Sequence, residues 1–140
     1  MLLKRKDVLL KAYEDTRVKN VVTLAAVTDL EERWPKPILE GWKKAGVEHI
    51  ENSRTGQQMP LYYQIVENYF ANHDRLHVPT AIKKLSARLL AFHGTEDETV
   101  PVSMAESIRD WNPAAQVQLL EGASHTFGGA HPYPVDELPE

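Results

Sequence analysis

Two polar loops carry the residues of this sequence that could do acid–base chemistry. The first loop, HGTEDETVP at positions 93–101, contains Asp97, and the second, GASHTFG at positions 122–128, contains His125. A carboxylate that binds one nitrogen of a histidine ring fixes the tautomer of that ring. The other nitrogen can then take a proton from a nucleophile and later return it. Asp97 and His125 are therefore candidates for the acid and the base of a Ser-His-Asp triad.

Each loop follows a segment that is typical of a buried strand. Apolar runs occupy positions 21–27, 89–92 and 117–120, and the first is rich in β-branched residues, a pattern of parallel strands covered on both faces. Functional groups gather at the carboxyl ends of such strands, where the loops converge. If the second and third strands are neighbours, Asp97 and His125 come within hydrogen-bond reach of each other.

Helical segments alternate with these strands, which predicts an α/β architecture with crossover connections. Ser103 and Glu106 have the spacing of a capping box, so we expect a helix between the second and third strands to begin there. Apolar residues recur at helical intervals in a further segment, which predicts an amphipathic helix. The other helices are expected at 7–15, at 38–45 and, for that amphipathic stripe, at 61–70.

The two loops together resemble the acid and base loops of the α/β-hydrolase superfamily, in its dienelactone-hydrolase and prolyl-oligopeptidase-like branch. The resemblance rests on H-G-x-x-D-x-x-V-P at 93–101 and G-A-S-H at 122–125, in the order aspartate then histidine. It covers nearly the whole chain. It implies one incomplete α/β-hydrolase domain over residues 1–140, with about three parallel strands, flanking helices and an inserted helical cap segment at 29–85.

The resemblance also implies a reaction, the serine-type hydrolysis of a carboxylic ester, an amide or a thioester. His125 would be the general base and acid and Asp97 its orienter, with a small-molecule acyl ester as substrate and no cofactor or metal. Arg54 would bind a substrate carboxylate if the insertion covers the site. Tyr62 is a second candidate for substrate binding. A solvated loop around Arg54 and a core-facing helix around Tyr62 are the alternatives.

The nucleophile that the resemblance requires is absent from the sequence. Relatives carry it in a G-x-S-x-G motif on a strand-to-helix turn, and none of the five serines has glycine two residues before and two after. We therefore expect the C-terminal half of a hydrolase, truncated at both ends and inactive by itself. The alternative is a non-catalytic module that pairs with a second copy or another chain through an uncovered sheet edge.

Other residues near the two loops could take the same roles. Glu96 or Glu98 would replace Asp97 if the register slips, and His131 is an alternative base. Asp97 could also serve only as a turn residue. A metal site is a further alternative, since imidazole and carboxylate suit zinc, although the spacing matches no known zinc motif. Its ligands would be His93, Asp97, His125 and His131.

The composition excludes several classes of function. With 16 basic and 20 acidic side chains the formal net charge is −4, and no basic stripe suggests a nucleic-acid partner. The sequence has no cysteine, which excludes disulfide frameworks and thiolate metal sites. No apolar run approaches the about 18 residues of a membrane span. We therefore expect a cytoplasmic protein with no membrane or nucleic-acid partner.

Overall fold

The computed structural model describes residues 7–52 and 55–129, which form two compact units. One unit contains the described residues up to Asp29 and those from His77 onward, and the other is Leu30–Leu76. In chain order the elements are α1 (Asp7–Glu14), β1 (Asn20–Leu24), α2 (Lys36–Ala45), β2 (Val47–Glu51), β3 (Gln58–Tyr62), α3 (Gln64–Ala71), α4 (His73–Leu76), α5 (Val78–Lys83), β4 (Arg88–Gly94), α6 (Ser103–Trp111) and β5 (Gln116–Leu120). Within the described ranges, no helix has the length and apolar character needed to cross a membrane.

The first unit contains a parallel sheet of three strands in the order β1-β4-β5. The three strands predicted from the sequence are present, and β4 pairs with both of the others. The first strand ends at Leu24 instead of continuing to Val27. At Ala25 the backbone has a φ of 46°, which turns the chain out of the extended conformation.

Helices α1 and α6 pack on one face of this sheet, and α5 packs against both of these helices. Buried side chains alternate with more exposed ones along β1 and β4, so that Val21, Leu89 and Ala91 are buried on the helical side. On the other face of β1, Val22 and Leu24 are 57% and 54% exposed. The prediction that β1 is covered on both faces is therefore wrong for the part of the chain that the structure describes.

Helix α6 connects β4 to β5, as predicted, and buries Met104, Ala105 and Ile108. The predicted capping box is wrong, because the N-cap residue is Val102 and Ser103 is already the first helical residue. Valine has no side-chain acceptor, so the first turn has no side-chain cap hydrogen bond. The buried face of the helix, not its cap, holds it in place.

Two buried threonines of the first unit differ in their hydrogen bonding. The Thr28 hydroxyl donates to the carbonyl oxygen of Met104 at 2.8 Å. The Thr23 hydroxyl, on the helical side of β1, has no partner among the described residues. A buried hydroxyl without a partner loses its hydrogen bonds to water and gains none in return. Thr23 is therefore a site where the fold is weaker than it could be.

Replacing Thr23 with valine is expected to raise the free energy of unfolding by about 1 kcal/mol, since valine keeps the shape and removes the unsatisfied hydroxyl. Replacing Thr28 with valine is the matched control. It should lower the free energy of unfolding by about 1 kcal/mol, because it removes the buried hydrogen bond to the Met104 carbonyl oxygen. Urea denaturation of the two variants measures both effects. An equal loss of stability in the two would contradict the prediction.

The second unit contains an antiparallel hairpin of β2 and β3 together with α2, α3 and α4. Helix α2 confirms the helix expected at 38–45, and it ends at Gly46, whose φ of 75° favours glycine. The single helix expected at 61–70 is wrong, because Leu61 and Tyr62 lie in β3 and the helix begins only at Gln64. The inserted segment thus contains a hairpin as well as helices.

Aromatic rings form the centre of the second unit. Trp42 is buried, and its indole N–H donates to the carbonyl oxygen of Leu61 at 3.0 Å. Trp34 packs edge to face against Trp42 and Tyr69, with ring centroids 6.2 and 5.5 Å apart. Buried aromatic rings of this kind supply much apolar area per residue. The unit therefore has a small core of its own.

Candidate active site

The loop at positions 93–101, called the acid loop below, follows β4, and the side chain of Asp97 binds backbone groups within it. One carboxylate oxygen, Oδ1, accepts the backbone N–H groups of Thr99 at 2.9 Å and Val100 at 2.8 Å. Through Oδ1, Asp97 therefore does act as a turn residue, which was one of the alternatives considered from the sequence. The other oxygen, Oδ2, is left for a second partner.

That partner is His125, in the loop that follows β5. Its Nδ1 lies 2.8 Å from Asp97 Oδ2. The side chain of Asp97 is fully buried, whereas that of His125 is 24% exposed. Strands β4 and β5 are neighbours, and Gly94 pairs with Leu120 at their carboxyl ends. The strand arrangement thus brings together the two residues that the sequence singles out.

Backbone hydrogen bonds join the two loops. The N–H of Thr95 donates to the carbonyl oxygen of Leu120 at 3.0 Å, and the N–H of Glu96 donates to that of Ala123 at 3.1 Å. A Cβ on Gly94 would overlap the carbonyl group of Ala123, so only glycine permits this approach. These backbone contacts hold the two loops together.

A second histidine, His93, lies beside the acid. Its side chain is only 1% exposed, and its Nε2 lies 2.9 Å from the carbonyl oxygen of Val100 and 3.5 Å from Asp97 Oδ2. A carbonyl oxygen only accepts hydrogen bonds, so Nε2 of His93 carries a proton. A protonated nitrogen cannot bind a metal ion. This geometry disfavours the alternative metal site that included His93.

The electrostatics of the acid favour its ionised form. Burial raises the pKa of Asp97. This effect is smaller than the opposing effect of three hydrogen bonds and one charge, which come from the N–H of Val100, the ring of His125 and the N–H of Thr99. The pKa of Asp97 therefore lies below its usual value. An ionised Asp97 only accepts hydrogen bonds. His125 therefore donates from Nδ1, and Nε2 is the nitrogen without that proton in the neutral ring.

Neither of the two glutamates takes the place of Asp97 beside His125. Glu96 and Glu98 are exposed, and it is Asp97 that contacts His125. Tyr62 is exposed on β3 of the second unit. Arg54 and His131 lie outside the described residues.

Sequence reasoning missed the contact of His93 with the acid loop. The signal was present in the alternation of β4, because His93 follows Leu89 and Ala91 at intervals of two and so belongs to the buried face. A buried polar ring at the end of a strand needs a hydrogen-bond partner. The partner it finds is the far end of the acid loop.

Solved structures of hydrolases are similar to this chain in fold. The esterase domain of a Rhodothermus marinus protein is 18% identical, with a TM-score of 0.60 over 91% of this chain and 51% of that chain. The monoacylglycerol lipase of Paleococcus ferrophilus is 15% identical, with a TM-score of 0.59 over 86% and 56%. An alpha/beta hydrolase enzyme, MGS-MChE2, from the metagenome of lagoon sediments of Mar Chica, Morocco, is 15% identical, with a TM-score of 0.53 over 94% and 52%.

The chain has part of an α/β-hydrolase fold. It spans about half the length of each of these structures. Neither a protein-family model nor a curated protein matches the sequence. At these low identities the similarity concerns the fold, and the activity has to be argued from the site.

Proposed function

We propose that this chain supplies the acid and the base of a serine-type hydrolase that acts on carboxylic esters. The observation that carries the proposal is the 2.8 Å contact between Asp97 Oδ2 and His125 Nδ1 at the carboxyl ends of two neighbouring parallel strands. The carboxylate is buried and the ring is partly exposed. A carboxylate that orients the histidine needs burial, and a base that contacts the substrate needs an exposed ring.

His125 is the group that moves protons in this proposal. Its Nε2 takes the proton of a serine hydroxyl as the serine oxygen attacks the ester carbonyl, and it then gives that proton to the departing alcohol. In the second half it takes a proton from water, which attacks the acyl-enzyme, and returns that proton to the serine oxygen. Asp97 stays ionised throughout and stabilises the charged ring.

The nucleophilic serine belongs, in this proposal, to polypeptide outside the present sequence, because no serine here stands in G-x-S-x-G. The chain is then the C-terminal half of the enzyme. The names of an esterase domain and a monoacylglycerol lipase among the similar structures favour esters over amides or thioesters. The motif at 93–101 favours the dienelactone-hydrolase and prolyl-oligopeptidase-like branch. We include Arg54 and Tyr62 as proposed substrate contacts.

The chain alone is expected to give no burst of p-nitrophenol from p-nitrophenyl acetate and no labelling by a fluorophosphonate probe. Joined to a strand-and-helix segment that carries G-x-S-x-G, it should give both. In that assembled form, His125→Gln should lower kcat by about 10²- to 10⁴-fold, the usual contribution of general acid–base catalysis. His49→Gln, at an exposed position of β2, is the matched control and should have no effect.

Two outcomes would contradict this proposal in different parts. Fluorophosphonate labelling of the chain alone would show that the nucleophile lies within these residues. Full activity of the assembled His125→Gln variant would show that His125 is not the base.

The second candidate function is a non-catalytic module that pairs with another chain. Val22 and Leu24 favour it, since both are exposed on β1, which is an edge strand among the described residues. We expect a dimer or a co-purifying partner in size-exclusion chromatography, and Val22→Lys should disperse it. Val8→Lys, at an exposed valine of α1, is the control. A native chain that elutes as a well-dispersed monomer would contradict this second candidate.

A further inference from the structure

His93 takes no part in the proton transfers described above, yet it is one of the most deeply buried polar side chains of the first unit. Its ring lies on the helical side of β4, and it reaches across the base of the acid loop. The carbonyl group it binds lies seven positions further along the chain. A buried histidine that bridges the two ends of a functional loop calls for an explanation beyond packing.

His93 binds the backbone of Val100, and the backbone of Val100 also binds Asp97. The N–H of Val100 donates to Asp97 Oδ1, and the carbonyl oxygen of Val100 accepts from His93 Nε2. The backbone of Val100 is thus held on both sides. Helix α6, which follows, uses the carbonyl oxygens of Pro101 and Val102 for its first hydrogen bonds. His93 therefore supplies the donor for a carbonyl oxygen that the first turn of the helix does not use.

We propose that His93 is a positioning residue, which fixes the carboxylate of Asp97 so that Oδ2 faces His125. The chain of contacts runs from His93 Nε2 to the Val100 backbone, from there to Asp97 Oδ1, and from Oδ2 to His125 Nδ1. A carboxylate is rigid and planar, so fixing one oxygen fixes the direction of the other. The effect of this positioning on catalysis rests on the proposed function, whereas the fixed direction of the Asp97 carboxylate does not.

The His93 ring also restricts the rotation of the Asp97 side chain. His93 Nε2 lies 3.5 Å from Asp97 Oδ2, so its proton is close to the same oxygen that accepts from His125. Rotation of the carboxylate away from His125 would give up the hydrogen bonds from two backbone N–H groups and from one ring. Each hydrogen bond to an ionised group is stronger than a neutral one. One rotamer of Asp97 is therefore favoured over the others.

The test compares two amide substitutions in the whole 140-residue chain. In His93→Gln the amide nitrogen stands four bonds from Cα, as Nε2 of histidine does, so it can donate to the Val100 carbonyl oxygen. In His93→Asn it stands three bonds from Cα and falls short. Both variants bury a polar amide of the same kind. Their difference isolates the hydrogen bond to Val100.

The readout is the titration of Asp97, followed by carbon NMR of its carboxyl group. We expect His93→Gln to keep the low pKa of Asp97, and His93→Asn to raise it by about 0.5 or more toward its ordinary value of about 3.9. The proton on Nδ1 of His125 should exchange with water at least tenfold faster in His93→Asn. Leu89→Val removes a methylene from the buried face of the same strand and should change neither signal.

An unchanged Asp97 titration in a folded His93→Asn variant would overturn the inference. If that variant does not fold, nitrogen NMR of the native chain decides, since the inference requires the His93 proton on Nε2 and a proton on Nδ1 would refute it. These readouts need no substrate. A failure of the assembled enzyme to hydrolyse esters would therefore count against the proposed function and leave the positioning role standing.

Discussion

Asparagine in place of Asp97 is expected to cause a large loss of function in the assembled enzyme. The amide has one acceptor oxygen where the carboxylate has two, so it cannot serve both the turn and the His125 ring. If its nitrogen faces His125, the ring has to accept on Nδ1 and carry its proton on Nε2, which is the wrong tautomer for a base. We expect kcat of the assembled enzyme to fall by about 10⁴-fold.

The same substitution should also change how stability depends on pH. The folded-state pKa of Asp97 lies below its unfolded value of about 3.9, so the ionised carboxylate stabilises the fold above that value. This contribution is lost as the pH falls from there through the folded-state pKa. Asp97→Asn should cost about 2 kcal/mol of unfolding free energy at pH 7 and progressively less in acid.

Urea denaturation of both proteins from pH 7 down to pH 3 measures this dependence. Glu98→Gln is the matched control, since it removes an exposed carboxyl group one residue away and should leave the curve unchanged. A constant difference between the native chain and Asp97→Asn over the whole range would contradict the prediction.

Alanine in place of Gly94 is expected to cause the largest loss of stability. Its Cβ would overlap the carbonyl carbon and oxygen of Ala123, and neither backbone group can move without shifting the whole base loop. Overpacking of this kind should cost about 3 kcal/mol. The hydrogen bond from Glu96 to Ala123 would break with it, and Asp97 would separate from His125.

Gly122→Ala provides the comparison for this effect within the base loop. Gly122 has a φ of 68°, yet a Cβ there would meet no atom within 4 Å. The cost should be about 1 kcal/mol, from backbone strain alone. Denaturant midpoints of the two variants separate the overlap from the strain. Equal midpoints would contradict the overlap argument.

The three parallel strands and the contact between Asp97 and His125 could be predicted from short-range patterns. Apolar runs located the three parallel strands, and loops at the carboxyl ends of neighbouring strands must converge. The contact between Asp97 and His125 then required only that β4 and β5 be adjacent. Adjacent placement is the common arrangement for consecutive elements joined by one helix.

Other features could not be predicted because their signals were weak or absent. Strand β3 contains Pro60, which argues against a strand, and β2 lacks a clear alternation of buried and exposed positions. The end of β1 depends on Ala25, whose positive φ is unusual for an alanine. The contact between His93 and Val100 depends on the conformation of a seven-residue loop, which no local pattern specifies.

Asp97 and His125 both lie within one β4-α6-β5 crossover and the loop after it, whereas the second unit comes earlier in the chain, between β1 and β4. A change in the length of that earlier connection leaves the crossover intact. Doubling a flexible connection costs only about 0.6 kcal/mol of chain entropy. This order of elements lets the length of the inserted segment change without altering the contact between Asp97 and His125.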